Sequence, residues 1–488
     1  MTRFVIIISL LLASIAAHAE SVLVQGNAFS YRGKMLEVKS YSDLFTFKSQ
    51  AVANTYIAQD GSFKITFDAE ETNLYLIKIG KVNAHLFVEP GSEYTLVIPE
   101  PFEADKYGPA KDVFVQPEIF ESEGKLNQTI TKLEAHINRF IIDNTHMVVG
   151  KGIKAQADSF LLELHKEFDN ETTPYFKEYF HYRLASFEIV VAKSRTKVFE
   201  TYFQNQPLAY HQLSFSNAFS LLFDEYFEYI SPSSAERFTD SVEADIRAGD
   251  LENLRRHLAA DPLLQNEELR DLLIVTQIFE IGQERTHDHS KIIKILDDLV
   301  ASSDYEPCKT IALNAKEILN ILAKGTRAPD FEFADAFGNI YRLSEYEGRY
   351  IYIQFFDRFT PETLKEMSLM QILKDGYGSE IALFSITTTE SQARIKQFQR
   401  KYGFEWVMGK AQSPDQLIQD YQLRALPTYF YLDKDLNIVK APAPPPGARI
   451  EKTFARAWNE EHPDKALRFK LQPPKVDSLG RVADDSEK

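Results

Sequence analysis

The chain has 488 residues, of which 44% are hydrophobic and 26% charged, a composition that excludes a disordered or membrane-embedded protein. Its formal net charge of −16 repels phosphate backbones, so we expect no nucleic-acid partner. The single cysteine excludes any function that cycles a disulfide within the chain.

The first residues form an export signal. A short basic start ending at Arg3 precedes an apolar run over residues 4–15, and Ala17-His18-Ala19 supplies the small residues that signal peptidase requires. We therefore expect residues 1–19 to be a signal peptide that is cleaved before Glu20. The apolar run is shorter than the ~20 residues needed to span a bilayer, so we expect no membrane span and a periplasmic or secreted mature protein.

Residues 20–105 are predicted to form a small antiparallel β-sandwich. Runs of strand length are separated by turn pairs such as Asp60-Gly61, and Phe63, Ile65 and Phe67 alternate with polar residues. An Asp-Gly-Ser-Phe strand entry at 60–63 and Val-Glu-Pro-Gly at 88–91 resemble the small β domain of unknown function that precedes secreted thioredoxin-like domains.

Residues 117–324 are predicted to form a helical domain of six to nine helices. Thr173-Pro174 is a helix start, Asp250 is a helix cap, and apolar residues follow at helical spacing, as in Phe176, Phe180, Leu184, Phe187 and Val191. No catalytic motif is visible in this domain.

Two features of the helical segment are candidates for chemistry. Cys308 lies at helical spacing with Ile311 and Ala315, so we expect it to pack as a small apolar side chain. An intermolecular disulfide and a reactive thiol remain the alternatives for it. His287-Asp288-His289 lacks cysteine or glutamate partners at metal-ligand spacing, so we expect a solvated loop, no metal and no cofactor.

Residues 325–461 show mixed α/β character. Four of their segments carry recognisable motifs: Ala328-Pro329-Asp330-Phe331, the apolar strand 351–356, the segment 359–367 and the segment 421–428. These motifs resemble those of TlpA/ResA-type thioredoxin-like proteins, which are related to the AhpC/TSA proteins, with 359–367 in place of the family's Trp-Cys-Pro-x-Cys-x-x-Glu-Met and 421–428 in place of the segment that ends in its cis-proline. The resemblance implies a thioredoxin fold. Residues 462–488 are polar and without periodicity, which predicts a flexible tail.

The departure from this family lies at the active site. Both positions of its Cys-x-x-Cys pair are threonine, Thr360 and Thr363. A threonine hydroxyl is not appreciably ionised at neutral pH and cannot form a mixed disulfide. Phe359-Thr360-Pro361 also resembles the Phe-Thr-Pro segment of peroxiredoxins, but their peroxidatic cysteine corresponds to Thr363. The site is therefore predicted to be degenerate, without a catalytic residue.

These observations favour a redox-inactive binding or scaffolding protein. In the family, the cis-proline loop and the start of the active-site helix present backbone groups to an extended polypeptide. The resemblance therefore implies a protein or peptide partner that contacts Phe359, Leu426 and Pro427. Two alternatives remain: thiol-disulfide oxidoreductase or antioxidant activity, as in the family, and a surface assembly in which the N-terminal parts bind and the thioredoxin fold is a spacer.

Overall fold

The computed structural model describes residues 19–101, 113–121, 124–145, 153–191, 194–224, 226–227, 238–284, 286–378, 380–423 and 425–461. The predicted signal peptide up to residue 18 and the predicted tail 462–488 lie outside these ranges. The described residues divide into two compact units. The first contains 19–101, the described parts of 113–280, and 291–314, and the second contains 281–290 and 315–461. None of the described helices is both long and apolar enough to cross a membrane.

The N-terminal part of the first unit is a sandwich of two sheets. One sheet has the order β4-β1-β7-β9 and the other the order β3-β2-β5-β6-β8. The strands are β1 (Glu20–Asn27), β2 (Met35–Tyr41), β3 (Ser49–Tyr56), β4 (Ser62–Ala69), β5 (Asn73–Ile79), β6 (Val82–Val88), β7 (Glu93–Val97), β8 (Val113–Phe114) and β9 (Glu118–Glu121).

The predicted alternation in β4 is confirmed, because Phe63, Ile65 and Phe67 are buried in the core between the sheets. The expectation of a purely antiparallel sandwich is wrong, because β1 pairs with β7 and β6 with β8 in parallel. The chain passes to the second sheet for β5 and β6, so that β7 returns beside β1 in the same direction. The helical segment was expected from residue 117, but β9 still pairs with β7 there.

Ten α-helices follow among the described residues, one more than the upper limit expected. The predicted cap at Asp250 is confirmed, because its side chain accepts a hydrogen bond from the Asn253 N–H, and Gly249, with a φ of 70°, separates this helix from the preceding one. The helices are α1 (Leu126–Asp143), α2 (Lys154–Phe168), α3 (Pro174–Val190), α4 (Arg195–Tyr202), α5 (Leu213–Leu222), α6 (Phe238–Ala248), α7 (Leu251–Leu258), α8 (Glu267–Glu284), α9 (His289–Ser302) and α10 (Glu306–Asn320).

The second unit is built on a mixed sheet of seven strands in the order β11-β10-β14-β13-β12-β15-β16. Its interior strand β12 is buried along its whole length and pairs in parallel with β13 and antiparallel with β15. The elements are β10 (Glu332–Asp335), β11 (Ile340–Arg342), β12 (Tyr350–Phe356), α11 (Pro361–Tyr377), β13 (Ile381–Thr387), α12 (Gln392–Tyr402), β14 (Val407–Ala411), α13 (Pro414–Asp420), β15 (Thr428–Leu432), β16 (Ile438–Lys440) and α14 (Glu451–Glu461).

Candidate functional site

The candidate site lies at one end of the central strands of the second unit. Strand β12 ends at Phe356, and a four-residue loop leads from it to the start of α11. The Leu426–Pro427 peptide bond is cis and immediately precedes β15. Because Phe355 pairs with Thr428, the first residue of β15, this bond and the loop after β12 lie at the same edge of the sheet.

Thr360 and Thr363, which the sequence pattern predicts to occupy the positions of the family's cysteine pair, are hydrogen-bonded to each other. Thr360 is the N-cap of α11, and its Oγ1 accepts a hydrogen bond from the Thr363 backbone N–H at 3.2 Å. The two Oγ1 atoms are also 3.2 Å apart. Thr363 is 3% exposed, whereas Thr360 is half-buried. Thr360 is therefore the more accessible residue of the two, and Thr363 faces the interior.

The loop before α11 is held by the last residue of β13 and by the segment that follows it. Thr387 and Thr389 donate from their hydroxyls to the carbonyl oxygen of Asp357, at 2.7 and 2.6 Å. The Phe359 N–H donates to the carboxylate of Glu390 at 3.2 Å. These bonds satisfy the backbone of a short, non-helical segment, and they fix the position from which α11 starts.

Phe359 stacks on α12. Its ring lies 3.7 Å from that of Phe398, with the two planes 7° apart, and the Arg394 guanidinium lies 5.2 Å from the Phe398 ring centre on the same helix. Phe359 remains half-buried and not fully covered. It therefore offers part of an aromatic surface beside Thr360.

A buried hydrogen-bond chain runs behind the site. The Trp406 indole N–H donates to Ser385 Oγ at 3.0 Å, and Ser385 donates to Gln354 Oε1 at 2.8 Å. Gln354 Nε2 donates to the Tyr429 hydroxyl at 2.8 Å, and that hydroxyl donates to the Glu366 carboxylate on α11. Burial, with the nearby Glu366, raises the pKa of Tyr429 well above its ordinary value, so this hydroxyl keeps its proton.

None of the five members of this chain is among the site residues predicted from the sequence. A signal was present, because Ser385 is a polar residue inside the apolar strand 381–386, and a buried polar side chain needs a partner. Leu426 and Pro427 are both half-buried, so their side chains are partly accessible at the sheet edge.

Cys308 is fully buried, which confirms its predicted position on the apolar face of α10. Its Sγ lies 3.4 Å from the Tyr210 hydroxyl. Burial raises the pKa of the Cys308 thiol to about 12. The thiol is therefore protonated at neutral pH and enclosed by the first unit.

The histidine motif lies at the start of α9. Asp288 accepts hydrogen bonds from the backbone N–H and the hydroxyl of Ser290, at 2.8 and 2.6 Å, as a residue at a helix N-terminus does. His289 Nε2 lies 2.9 Å from the Asn320 side-chain oxygen. Across the described ranges, no group of three or more His, Cys, Asp or Glu side chains is arranged to hold a metal ion.

Comparison with known proteins matches residues 324–441 to the AhpC/TSA family. The thiol-disulfide oxidoreductase ResA of Geobacillus kaustophilus is 27% identical over 115 residues, which cover 23% of this chain and 66% of that protein. ResA of Bacillus anthracis is 26% identical over 117 residues, or 24% of this chain and 67% of that protein. The chain thus spans about two thirds of the length of these relatives, and they match about a quarter of its own.

Among solved structures, the chain is similar to the thioredoxin domain of a thiol-disulfide oxidoreductase from Bacteroides vulgatus, with 18% identity, coverage of 27% of this chain and 96% of that one, and a TM-score of 0.25. A thioredoxin-like protein from Bacteroides caccae is 17% identical, with coverage of 49% and 92% and a TM-score of 0.32. The C-terminal part of the chain is thus an AhpC/TSA thioredoxin-like domain related to the ResA thiol-disulfide oxidoreductases.

Proposed function

We propose that the thioredoxin-like domain binds an extended polypeptide and performs no thiol-disulfide exchange. The observation that carries the proposal is the Thr360–Thr363 pair, whose hydroxyls lie 3.2 Å apart at the positions that the sequence pattern assigns to the family's cysteines. Thiol-disulfide exchange requires a thiolate that attacks a sulfur, and neither group is available there. We further propose that the protein acts outside the cytoplasm, because of the predicted signal peptide.

The framework around the threonine pair supports binding. The cis Leu426–Pro427 bond, the N-terminus of α11 and the Phe359 ring remain at one edge of the sheet. In the family, this edge presents backbone groups to an extended chain, and main-chain hydrogen bonds of that kind do not depend on sulfur. A partner chain is then held by its backbone and by contact with partly exposed apolar side chains.

The alternative, a residual redox activity, would have to use Cys308. With a pKa of about 12, this thiol is ionised in only about one molecule in 10⁵ at pH 7. It is also fully buried, so a disulfide substrate does not reach it without local unfolding. Both observations disfavour the oxidoreductase reading.

The binding proposal is tested with the mature full-length protein and fluorescently labelled, carboxymethylated α-lactalbumin, an unfolded chain with blocked thiols. We expect saturable binding in fluorescence anisotropy, and we expect Leu426→Arg to weaken it at least tenfold. Ile340→Arg is the matched control. Ile340 is 60% exposed and lies on β11, four strands from β12 in the sheet, or about 19 Å at ordinary strand spacing.

Two results would count against the proposal. One is the absence of saturable binding, or equal binding by wild type and Leu426→Arg when tryptophan fluorescence shows both to be folded. The other is reduction of insulin by the wild type that disappears in Cys308→Ser, which would restore the redox reading.

A further inference from the structure

Strand β3 of the first unit forms one edge of its sheet. It runs over Ser49–Tyr56 and pairs only with β2 among the described residues. The backbone groups on its other side therefore have no sheet partner in the described part of the chain. An edge of this kind is a template for another strand.

The other edge strands are protected in the usual ways. Five others occur among the described residues: β4 contains Lys64 and Asp68, β9 begins and ends with glutamate, and β8, β11 and β16 have only two or three residues. β3 has eight residues and contains neither a charged residue nor a proline. Its one protective feature is a β-bulge against β2 that leaves Val52 without a partner of its own, and residues 53–56 beyond the bulge pair with β2 in regular register.

The exposed side chains of β3 are complementary to those of a second copy. Val52 is 40% exposed and Tyr56 is 70% exposed. In a continuous antiparallel sheet, the side chains of two directly opposed residues point to the same face. Side chains alternate between the faces along a strand, so two opposed residues of identical strands must be an even number of positions apart in the sequence. The twofold axis that relates the strands therefore passes through a residue and not between two residues. An axis through Asn54 places Val52 of each copy opposite Tyr56 of the other.

This register also extends a row of apolar side chains across the boundary between the two copies. Met35 on β2 is 41% exposed and pairs directly with Tyr56. In the paired arrangement, the side chains of Met35, Tyr56 and the second copy's Val52 lie side by side on one face. Aromatic and β-branched pairs are among the favourable cross-strand neighbours, and the twofold axis forms each of them twice.

We propose that β3 pairs antiparallel with β3 of a second copy of this chain, about a twofold axis through Asn54. The chain's net charge of −16 opposes association of two copies, and β3 is an edge at which no like charges meet. Pairing over a few residues buries less than the ~1,200 Å² of a stable interface, so the dimer is weak and concentration-dependent. Added salt strengthens it, because salt screens the repulsion.

The register is tested by an engineered disulfide. Because the only native cysteine is buried, a cysteine introduced at the surface is the one accessible thiol. Asn54→Cys places two thiols across the proposed axis, where opposed Cβ atoms are close enough for a disulfide. Thr66→Cys, at an exposed position on the edge strand β4, is the matched control. We expect air oxidation to give a covalent dimer at least tenfold faster for Asn54→Cys.

Sedimentation velocity over a concentration series tests the interface without a crosslink. We expect the wild type to dimerise reversibly, Asn54→Lys to weaken dimerisation at least tenfold by setting two like charges face to face, and Thr66→Lys to leave it unchanged. A wild type that stays monomeric, an Asn54→Lys protein that dimerises like the wild type, or equal crosslinking of the two cysteine variants would each overturn the proposal.

Discussion

Restoring the two thiols is the sharpest test of the idea that only sulfur is missing from the site. The variant is Thr360→Cys/Thr363→Cys in a Cys308→Ser background. The two hydroxyl oxygens are 3.2 Å apart, so closing the gap to the ~2.05 Å of a disulfide requires a movement of only about 1 Å. We therefore expect the two cysteines to form a disulfide without rearrangement of the backbone.

The reactivity of a thiol at position 360 follows from its place at the N-cap of α11. A helix N-terminus stabilises a negative charge by about 0.3–2 kcal/mol, depending on burial. At ~1.36 kcal/mol per pKa unit, this gives a pKa between about 7 and 8.3, against about 8.5 for an ordinary thiol. The pKa of this thiol is measured from the pH dependence of its alkylation by iodoacetamide. The variant for this measurement is Thr360→Cys in the Cys308→Ser background, in which the introduced thiol is the only one.

The reductase activity of the double variant is measured by insulin reduction in the presence of dithiothreitol, and we expect at least about a tenfold gain over the threonine protein. The control is Ser413→Cys/Gln416→Cys in the same background. Ser413-Pro414 begins α13 as Thr360-Pro361 begins α11, but it follows β14, which lies three strands away from the cis-proline strand β15 in the sheet. If the disulfide forms at 360 and 363 and insulin reduction stays at the level of this control, our reasoning is refuted.

Three further predictions concern stability. Both tryptophans lie in the second unit, so their fluorescence during urea unfolding of the full chain reports on that unit. Thr360→Ala should lower its free energy of unfolding by about 1 kcal/mol through loss of the cap, and Thr360→Ser should not. Ser385→Ala should cost about 2–4 kcal/mol, because two buried groups lose their partners, and the control Ser368→Ala should cost less than about 1 kcal/mol. Burial lowers the pKa of His85 from 6.5 to about 4, so as the pH falls, the unfolded state binds a proton at this histidine before the folded state does. The first unit should lose stability between pH 6.5 and 4, by up to about 3 kcal/mol, and His85→Gln should reduce that loss, as measured by hydrogen exchange over β6.

Local sequence patterns were sufficient to predict the strands and helices in which the spacing of apolar residues reflects burial of one face. The alternation in β4 and the spacing around Cys308 each identified a buried face, because one side of a strand or helix must be apolar to pack. The parallel pairs β1–β7 and β6–β8 were not predictable in this way. They depend on the order in which the chain visits two sheets, and no local pattern contains that information.

The hydrogen-bond chain behind the site shows the same limit. Gln354 bonds to partners that are 31 and 75 residues away in sequence, so nothing near it in the sequence identifies them. The sequence does show that hydrogen-bond partners are needed, because it places a glutamine and a serine within two buried strands. The identity of those partners, including the carboxylate of Glu366 on the helix that Thr360 caps, follows only from the packing of α11 on the sheet.

On the proposed function, this hydrogen-bond chain explains how the site keeps its form without thiols. Thr360 retains the cap of α11, and Glu366 on the same helix bonds to Tyr429 of β15, two residues after Pro427. The helix start and the cis-proline strand are thus joined by bonds that need no sulfur. On the proposed function, selection for a disulfide can therefore cease while the edge of the sheet stays in place. The double-cysteine variant tests this directly, because a preserved edge should regain thiol chemistry when sulfur alone is returned to it.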